Sequence, residues 1–305
     1  LRNQKICLIE FIPSKVIHKT NPEKSFDLNV IEDEVYLNLS YMTELHNHKG
    51  LVGEKQYSLL LPRHIRGNQE TFEVLGLLQA EMGKQHDGKI VFCNHEYKLV
   101  KKVMKWFGEE FDFSKDRWKW YIKVNINEPL DEYYKKEVEH KVINYWISKT
   151  DLSLEQSYPK KVSYIKNTKN TTLGFYDYGT LIIEGGSNLF SQFIKNFVKN
   201  VTNNVINYEK NEIRHFMRGI IAGESCVEID APTKKFRVHI SASDEKEKLI
   251  YNNCLKKLGI DSIIYKGDKL VISKKENNLQ LLKQQLMTLS PEKYNKFLRM
   301  MNLYE

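Results

Sequence analysis

Two stretches decide how this chain folds: Phe72-Glu73-Val74-Leu75-Gly76-Leu77-Leu78-Gln79-Ala80-Glu81 and Arg214-His215-Phe216-Met217-Arg218-Gly219-Ile220-Ile221-Ala222-Gly223-Glu224. Superimposing Gly76 on Gly219 also aligns Glu81 with Glu224 and the small Ala80 with Gly223, at an offset of 143 residues. Gly76 and Ala80 are four residues apart, as are Gly219 and Gly223. On a helix that spacing puts both small side chains on one face and lets another backbone approach closely. One such helix in each half predicts a mutual pair packed at the centre of the molecule. Each helix also ends in a carboxylate, where the macrodipole disfavours negative charge by about 0.3–1 kcal/mol. A divalent cation, held by carboxylate and carbonyl oxygens, would relieve that penalty and the repulsion between the two acids.

The surroundings of the two stretches repeat as well. After the first come a strand-like run, Lys89 to Asn94, and a helix with Asn94 as N-cap and Gly108 past its end. After the second come Phe236 to Ser241 and a helix from about Asp244, ended by Gly259. Each half then returns to a β run that opens an amphipathic helix: Thr180–Glu184 into Ser187–Phe190, and Lys269–Ser273 into Asn277–Gln280. Leu181 and Leu270 are only 89 apart, so the first half carries about 54 extra residues (143 less 89) between roughly Asn127 and Thr172. That insertion holds a helical stretch, Asp131 to Ile147, and a lysine-rich β segment, Lys160 to Asn170. The reading is an α+β chain built twice on an αββαββα plan. Residues 1–68 form a β-containing extension, 69–207 the first repeat with its insertion at about 127–172, and 208–305 the second repeat with a C-terminal helix. Val35–Leu39 and Tyr57–Leu61 alternate as strands within the extension, and the Asn-rich Asn200–Tyr208 marks the boundary between halves.

Val74–Met82 and Met217–Ser225 resemble the paired nonapeptides of the LAGLIDADG homing endonucleases, in their single-chain, two-motif form. Gly76 and Gly219 stand at the third position, Glu81 and Glu224 at the eighth. The ninth position, usually Gly, is Met82 or Ser225, and the sixth is Gln79 or Ala222. The resemblance covers about residues 60–300. It implies two saddle-shaped antiparallel sheets straddling duplex DNA, with Gly76, Ala80, Gly219 and Gly223 at the helix interface. It further implies Mg²⁺, or another divalent cation such as Mn²⁺, at Glu81 and Glu224, with backbone carbonyls of Ala80 and Gly223 as further ligands. Basic residues assist catalysis in that family, and Lys274 and Lys275 are the candidates here. The corresponding place in the first half, Glu184-Gly185-Gly186, has no lysine.

A groove-facing strand alternates between packing and reading residues. In the first half Trp118, Trp120, Ile122 and Val124 alternate with Lys119, Tyr121, Lys123 and Asn125. In the second, Phe236, Val238 and Ile240 alternate with Lys235, Arg237, His239 and Ser241. Lys161, Lys166 and Lys169 in the insertion would extend a DNA footprint.

Composition agrees with a polyanion partner. The 305 residues carry 47 Lys plus Arg against 39 acidic residues, a formal charge of +8. Only 8 of those cations are Arg, which favours phosphate anchoring over bidentate guanine reading. No apolar run approaches the roughly 20 residues of a membrane helix, so no membrane role is expected. The N-terminal stretch around Lys5 and Glu10 lacks a signal-peptide pattern. Cys7, Cys93, Cys226 and Cys254 are widely spaced, reading as reduced thiols of an intracellular protein in cytoplasm, nucleoid or an organelle. The expectation is a monomeric, metal-dependent endonuclease that hydrolyses one phosphodiester in each strand of a long asymmetric site, as in intron homing. The rivals are a catalytically silent DNA-binding regulator and an intron-RNA maturase on the same scaffold.

Overall fold

The computed structural model describes residues 4–46, 52–83, 88–166, 177–265, 267 and 269–304. The N-terminal extension runs through β1 (Lys5–Cys7), β2 (Lys15–Ile17), β3 (Ser25–Asp27), β4 (Asn29–Glu32), β5 (Tyr36–His46), β6 (Val52–Pro62) and β7 (His64–Arg66). The first motif stretch is helix α1 (Gln69–Glu81). It leads to β8 (Ile90–Asn94), α2 (Tyr97–Phe111), β9 (Lys119–Ile126), α3 (Glu132–Thr150), β10 (Ser157–Lys166), β11 (Thr180–Gly185) and α4 (Asn188–Asn204). The second motif stretch is α5 (Lys210–Glu224), followed by β12 (Ser225–Asp230), β13 (Lys235–Ser241) and α6 (Glu245–Lys257). The chain closes with β14 (Ile263–Ile264), β15 (Lys269–Ile272), α7 (Lys275–Lys283) and α8 (Pro291–Asn302). The fold is therefore α+β. Among the described residues no helix is long and apolar enough to cross a membrane.

The chain divides into two compact units, one comprising Lys5–Ile65 and Met82–Phe197, the other chiefly Arg66–Glu81 and Val198–Glu305. In the second of these, α5 is followed by a four-stranded sheet in the order β12-β13-β15-β14, antiparallel throughout. This half follows the expected αββαββα order. Its helix α6 starts at Asp244, whose carboxylate accepts from the Glu247 N–H. It ends where Gly259 takes φ +78°, a conformation that a side chain would strain.

The first-half sheet has the order β8-β11-β9-β10 and departs from the expected plan in two ways. Its opening strand shrinks to a single bridge between Met82 and Phe92, with the Gly83 N–H donating to the Val91 carbonyl. Its far edge gains β10, which lies parallel to β9 rather than antiparallel. The insertion explains the direction: parallel neighbours need a long crossover, and α3 supplies it. Gln156 docks the insertion by donating to the Lys115 carbonyl, 2.6 Å away. Trp120 does the same from the strand side, its ring N–H donating to the Ser153 carbonyl at 2.8 Å.

Helix α2 corrects both expected ends. Asn94 caps a turn before the helix by accepting from the Glu96 N–H, and the helix begins at Tyr97. Gly108 lies inside it. The helix stops at Phe111 because Asp112 adopts the left-handed conformation, φ 49°, which Asp tolerates better than most side chains. That turn sends Phe113 into an aromatic cluster with Phe107, Trp118 and Phe190, ring centroids 5.0–6.2 Å apart. Within the extension, β5 and β6 pair over their full eleven-residue length, Tyr36 opposite Pro62 through His46 opposite Val52. The Asn-rich Asn200–Tyr208 stretch holds the last turn of α4 and a short 3₁₀ turn, Val205–Asn207.

Candidate nucleic-acid interface and metal site

Helices α1 and α5 pack backbone to backbone. A Cβ built on Gly76 would lie 2.2 Å from the Phe216 carbonyl oxygen and 3.0 Å from the Gly219 Cα. A Cβ on Gly219 would lie 2.2 Å from the Glu73 carbonyl oxygen and 2.8 Å from the Gly76 Cα. One turn on, a Cβ on Gly223 would meet the Ala80 Cβ at 2.5 Å and the Glu81 Cγ at 3.1 Å. Only small residues permit this approach. Every residue from Thr71 to Leu78 is buried as a result. The Asn68 side chain accepts from the Thr71 N–H at the start of α1, and Glu209 with Glu212 forms a capping box at the start of α5.

Sequence reasoning passed over the charges inside this pair. Glu73 on α1 is 1% exposed, with the Arg218 guanidinium of α5 2.6 Å from its carboxylate and the His215 ring at 3.4 Å. Arg218 also donates to the Thr288 hydroxyl at 2.9 Å. Taking such a pair from water costs several kcal/mol per ion, so it contributes mainly when both partners stay. It fixes which faces of the two helices meet.

The last turns bring the two expected acids to the same end of the helix pair. The Glu81 carboxylate oxygen lies 3.6 Å from the point where a Gly223 Cβ would sit. Gln79, in the preceding turn, donates to Glu247 of α6 at 2.9 Å and accepts from the Thr202 hydroxyl at 3.0 Å. Burial pushes the Tyr251 hydroxyl far above its ordinary pKa, and the negative charges of Glu247 and Glu224 push in the same direction. At the end of α5 a residue absent from the sequence-based set appears. Lys293 of α8 donates from Nζ to the Ala222 carbonyl at 2.6 Å and to the Gly223 carbonyl at 2.7 Å. A cation at a helix C-terminus is what the macrodipole favours. The Gly223 oxygen, expected as a metal ligand, thus already faces an ammonium. With Lys293 in place, the Gly223 carbonyl keeps one lone pair for any further cation.

Of the two expected catalytic lysines, Lys275 is engaged by Tyr304, whereas Lys274 is exposed. Lys274 is exposed at the N-cap of α7. Lys275 donates to the Tyr304 carbonyl at 3.2 Å and lies over the Tyr304 ring. Among the cysteines, Cys254 is buried and its thiol is pushed up to about 12 by desolvation.

The expected reading residues of β9 and β13 alternate with packing ones, whereas Lys166 of β10 stands opposite Ile126 and so in the row of Ile122 and Val124. In β9, Trp118, Trp120 and Ile122 are buried, while Lys119 is exposed and Tyr121, Lys123 and Asn125 are half-buried. Lys161 in β10 is half-buried and Lys166 exposed, and Lys169 lies outside the described residues. Beside this row, Lys89 and the Tyr158 hydroxyl both donate to Glu184. The hydrogen bond to Tyr158, aided by Glu184, holds Lys89 above its ordinary pKa. In β13, Val238 and Ile240 are buried, Lys235 is exposed, and Arg237, His239 and Ser241 are half-buried. His239 is paired rather than available: its Nε2 lies 2.7 Å from a Glu228 carboxylate oxygen. In register, Glu228 stands opposite Arg237 and Asp230 opposite Lys235.

Residues 211–301 match the family model described as a LAGLIDADG-like domain. No functionally curated protein matches the chain. Among solved structures, the chain is similar to the N-terminal LAGLIDADG domain of DUF199/WhiA, at 14% identity over 72% of this chain and 83% of that one, with a TM-score of 0.38. It is similar to full-length DUF199/WhiA from Thermatoga maritima at 13% identity, over 79% and 63% of the two chains, TM-score 0.40. It is also similar to I-DmoI in complex with DNA and Ca, at 13% identity over 75% and 97%, TM-score 0.36.

Proposed function

We propose that this protein is a double-stranded DNA-binding protein on a LAGLIDADG-like scaffold in which the end of the central helix α5 is held by an internal cation, so that it binds without cutting. The observation that carries this reading is Lys293 on the Ala222 and Gly223 carbonyls. An ammonium supplies positive charge at the helix end but offers no open coordination site and activates no water. The polar rows around Lys119, Lys123, Lys235 and Arg237 supply phosphate contacts, and the Lys surplus predicts affinity that falls steeply with salt.

The test is incubation with a randomised duplex library, with Mg²⁺ and with EDTA, followed by recovery of bound and cut molecules. Expected is salt-dependent retention of duplex in both conditions and no Mg²⁺-dependent ends. Reproducible Mg²⁺-dependent ends would overturn it. Tighter retention of structured intron RNA than of duplex would favour the maturase instead. Lys293→Ala sharpens the point: Mg²⁺ should raise the melting temperature of the variant and leave that of the parent unchanged.

The second reading is the endonuclease, favoured by the arrival of Glu81 and Glu224 at one end of the helix pair. Under it, Glu81→Gln or Glu224→Gln abolishes cleavage while retaining duplex binding. Cleavage at the parental rate by both single variants would remove the acids from any catalytic role.

A further inference from the structure

A cavity of about 560 Å³ opens in the unit that contains the extension and the first-half sheet. It is lined by the extension on one side, through His18, Lys19, Phe26, Tyr41 and Tyr57, and by the first repeat on the other, through Lys89 and Ser187. Its size falls within the range of small-molecule sites, about 300–1,000 Å³. Neither the motif helices nor the sheet rows described above account for it.

The cavity has an aromatic side. Tyr41 and Tyr57 stack across β5 and β6 with centroids 5.1 Å apart and planes 13° apart. Phe26 continues the stack against Tyr41 at 5.7 Å, and His18 lies 6.0 Å from Phe26. The His18 ring is fixed by its Nδ1, which accepts from the Thr20 and Asn21 N–H groups, leaving Nε2 as the donor. Tyr41 is anchored through its hydroxyl, which receives a hydrogen bond from Asn188. Tyr41 is 8% exposed between its two neighbours, so the rings left to a planar ligand are Phe26 and Tyr57, over which the Lys24 and Lys55 side chains lie, and stacking there is worth about 1–3 kcal/mol per base.

The cavity also has a cationic side. Lys19 and Lys89 line it, against Glu44 as the lining carboxylate. Gly88, at φ +74°, has no Cβ, and one there would lie 2.9 Å from the Lys19 side chain, so the lysine lies flat against bare backbone. Lys89 is held in place by Tyr158 and Glu184. Ser187, Asn188 and Leu189, at the start of the seventeen-residue helix α4, form the adjoining wall, where the dipole adds to the positive potential. Aromatic rings beside Lys19 and the start of α4, with the Lys89 charge shared with Glu184, suit a planar base that carries a phosphate.

We infer that this cavity binds a nucleotide, either free or as an unpaired residue of a nucleic-acid strand. The base stacks along the Phe26–Tyr57 side, and the phosphate lies between Lys19 and Lys89 at the start of α4. The inference goes beyond duplex binding and does not depend on it.

The experiment is calorimetric titration of the full chain with AMP, adenosine, inorganic phosphate and a twelve-residue single-stranded dA oligonucleotide. Expected is one-to-one binding of AMP at least tenfold tighter than of adenosine or phosphate. Lys19→Glu and Tyr57→Leu should each weaken it at least tenfold, with melting temperatures confirming that both variants fold. Binding of the oligonucleotide without AMP identifies a strand as the source, and AMP without the oligonucleotide identifies a free nucleotide. Binding of neither, phosphate as tight as AMP, or affinity unchanged in both variants overturns the inference. Duplex retention is measured on the same samples, and Lys119→Ala/Lys123→Ala should leave AMP binding intact. A protein that retains duplex but no nucleotide therefore refutes this site alone, and one that binds AMP but no duplex refutes the proposed function alone.

Discussion

On the polar face of the β8-β11-β9-β10 sheet, Lys119, Lys123 and Lys161 stand in rows where Glu184 is the facing carboxylate, itself engaged by Lys89 and Tyr158. On the β12-β13-β15-β14 sheet the cations are matched: Arg237 faces Glu228, Lys235 faces Asp230, and His239 reaches back to Glu228. The two sheets differ in strand make-up and in electrostatic design. In the first sheet only Lys119 of these lysines has a carboxylate opposite it, Glu184, whereas in the second both Arg237 and Lys235 do, so the second face holds more negative charge beside its cations. Under the proposed DNA-binding function, the enlarged half would be the stronger anchor for a polyanion.

The largest expected effect separates the two sheets mechanically. Trp120 is 1% exposed and ties the insertion to β9 through the Ser153 carbonyl. Trp120→Ala should cost about 3–5 kcal/mol. Hydrogen exchange should accelerate across β10 and β11 while β12 and β13 keep their protection. Uniform loss of protection in both sheets would show that the insertion is not a local brace of the first one.

The next effect is on affinity. Lys119→Ala with Lys123→Ala should weaken duplex binding about tenfold and lower the salt slope by about 2, one unit for each phosphate no longer neutralised. Lys235→Ala with Arg237→Ala should reduce the slope less, because the nearby carboxylates of Glu228 and Asp230 offset part of their charge. Equal slopes for the two double variants would erase the proposed asymmetry. In the opposite sense, Glu228→Gln with Asp230→Asn should raise affinity about threefold and steepen the slope, since two repelling charges leave the second face. Unchanged binding would place that face away from the DNA.

Much of this asymmetry is legible in the sequence alone, but only where the signal is local. Asp244 and Gly259 bracket α6 because an N-cap and a left-handed glycine act within one turn. The β9 and β13 rows follow from alternation, a property of the strand itself. Gly108 misleads because glycine is tolerated within a helix, while Asp112 makes the left-handed turn that ends it. The parallel β10 is hidden for a different reason: its direction is set by the α3 crossover, not by its own residues. Lys293 is invisible because about seventy residues separate it from the carbonyls it meets. Nothing local in the sequence pairs Glu73 with Arg218, and only the close approach at Gly76 and Gly219 shows why they face each other.

The smallest effect tests whether the second face is held by its own charges. The hydrogen bond from His239, together with the nearby charges of His239, Arg237 and Lys235, holds the Glu228 carboxyl below its ordinary range. A carboxylate depressed in the folded state stabilises it above the unfolded pKa, about 4.5 for Glu, and loses that contribution as pH falls through the depressed value. The stability curve should therefore bend downward just below pH 4.5, and Glu228→Gln should remove that part of the bend. The Glu228 side chain is 40% exposed, so solvent screens the pair and the change is small. Glu184 provides the control on the other sheet: Glu184→Gln should loosen Lys89 and Tyr158 without altering the acid bend that belongs to Glu228. If Glu228→Gln leaves the acid limb of chemical denaturation unchanged, the pairing does not bias the second sheet. The weaker anchoring of that half would then have to come from its short β14 edge rather than from its acids.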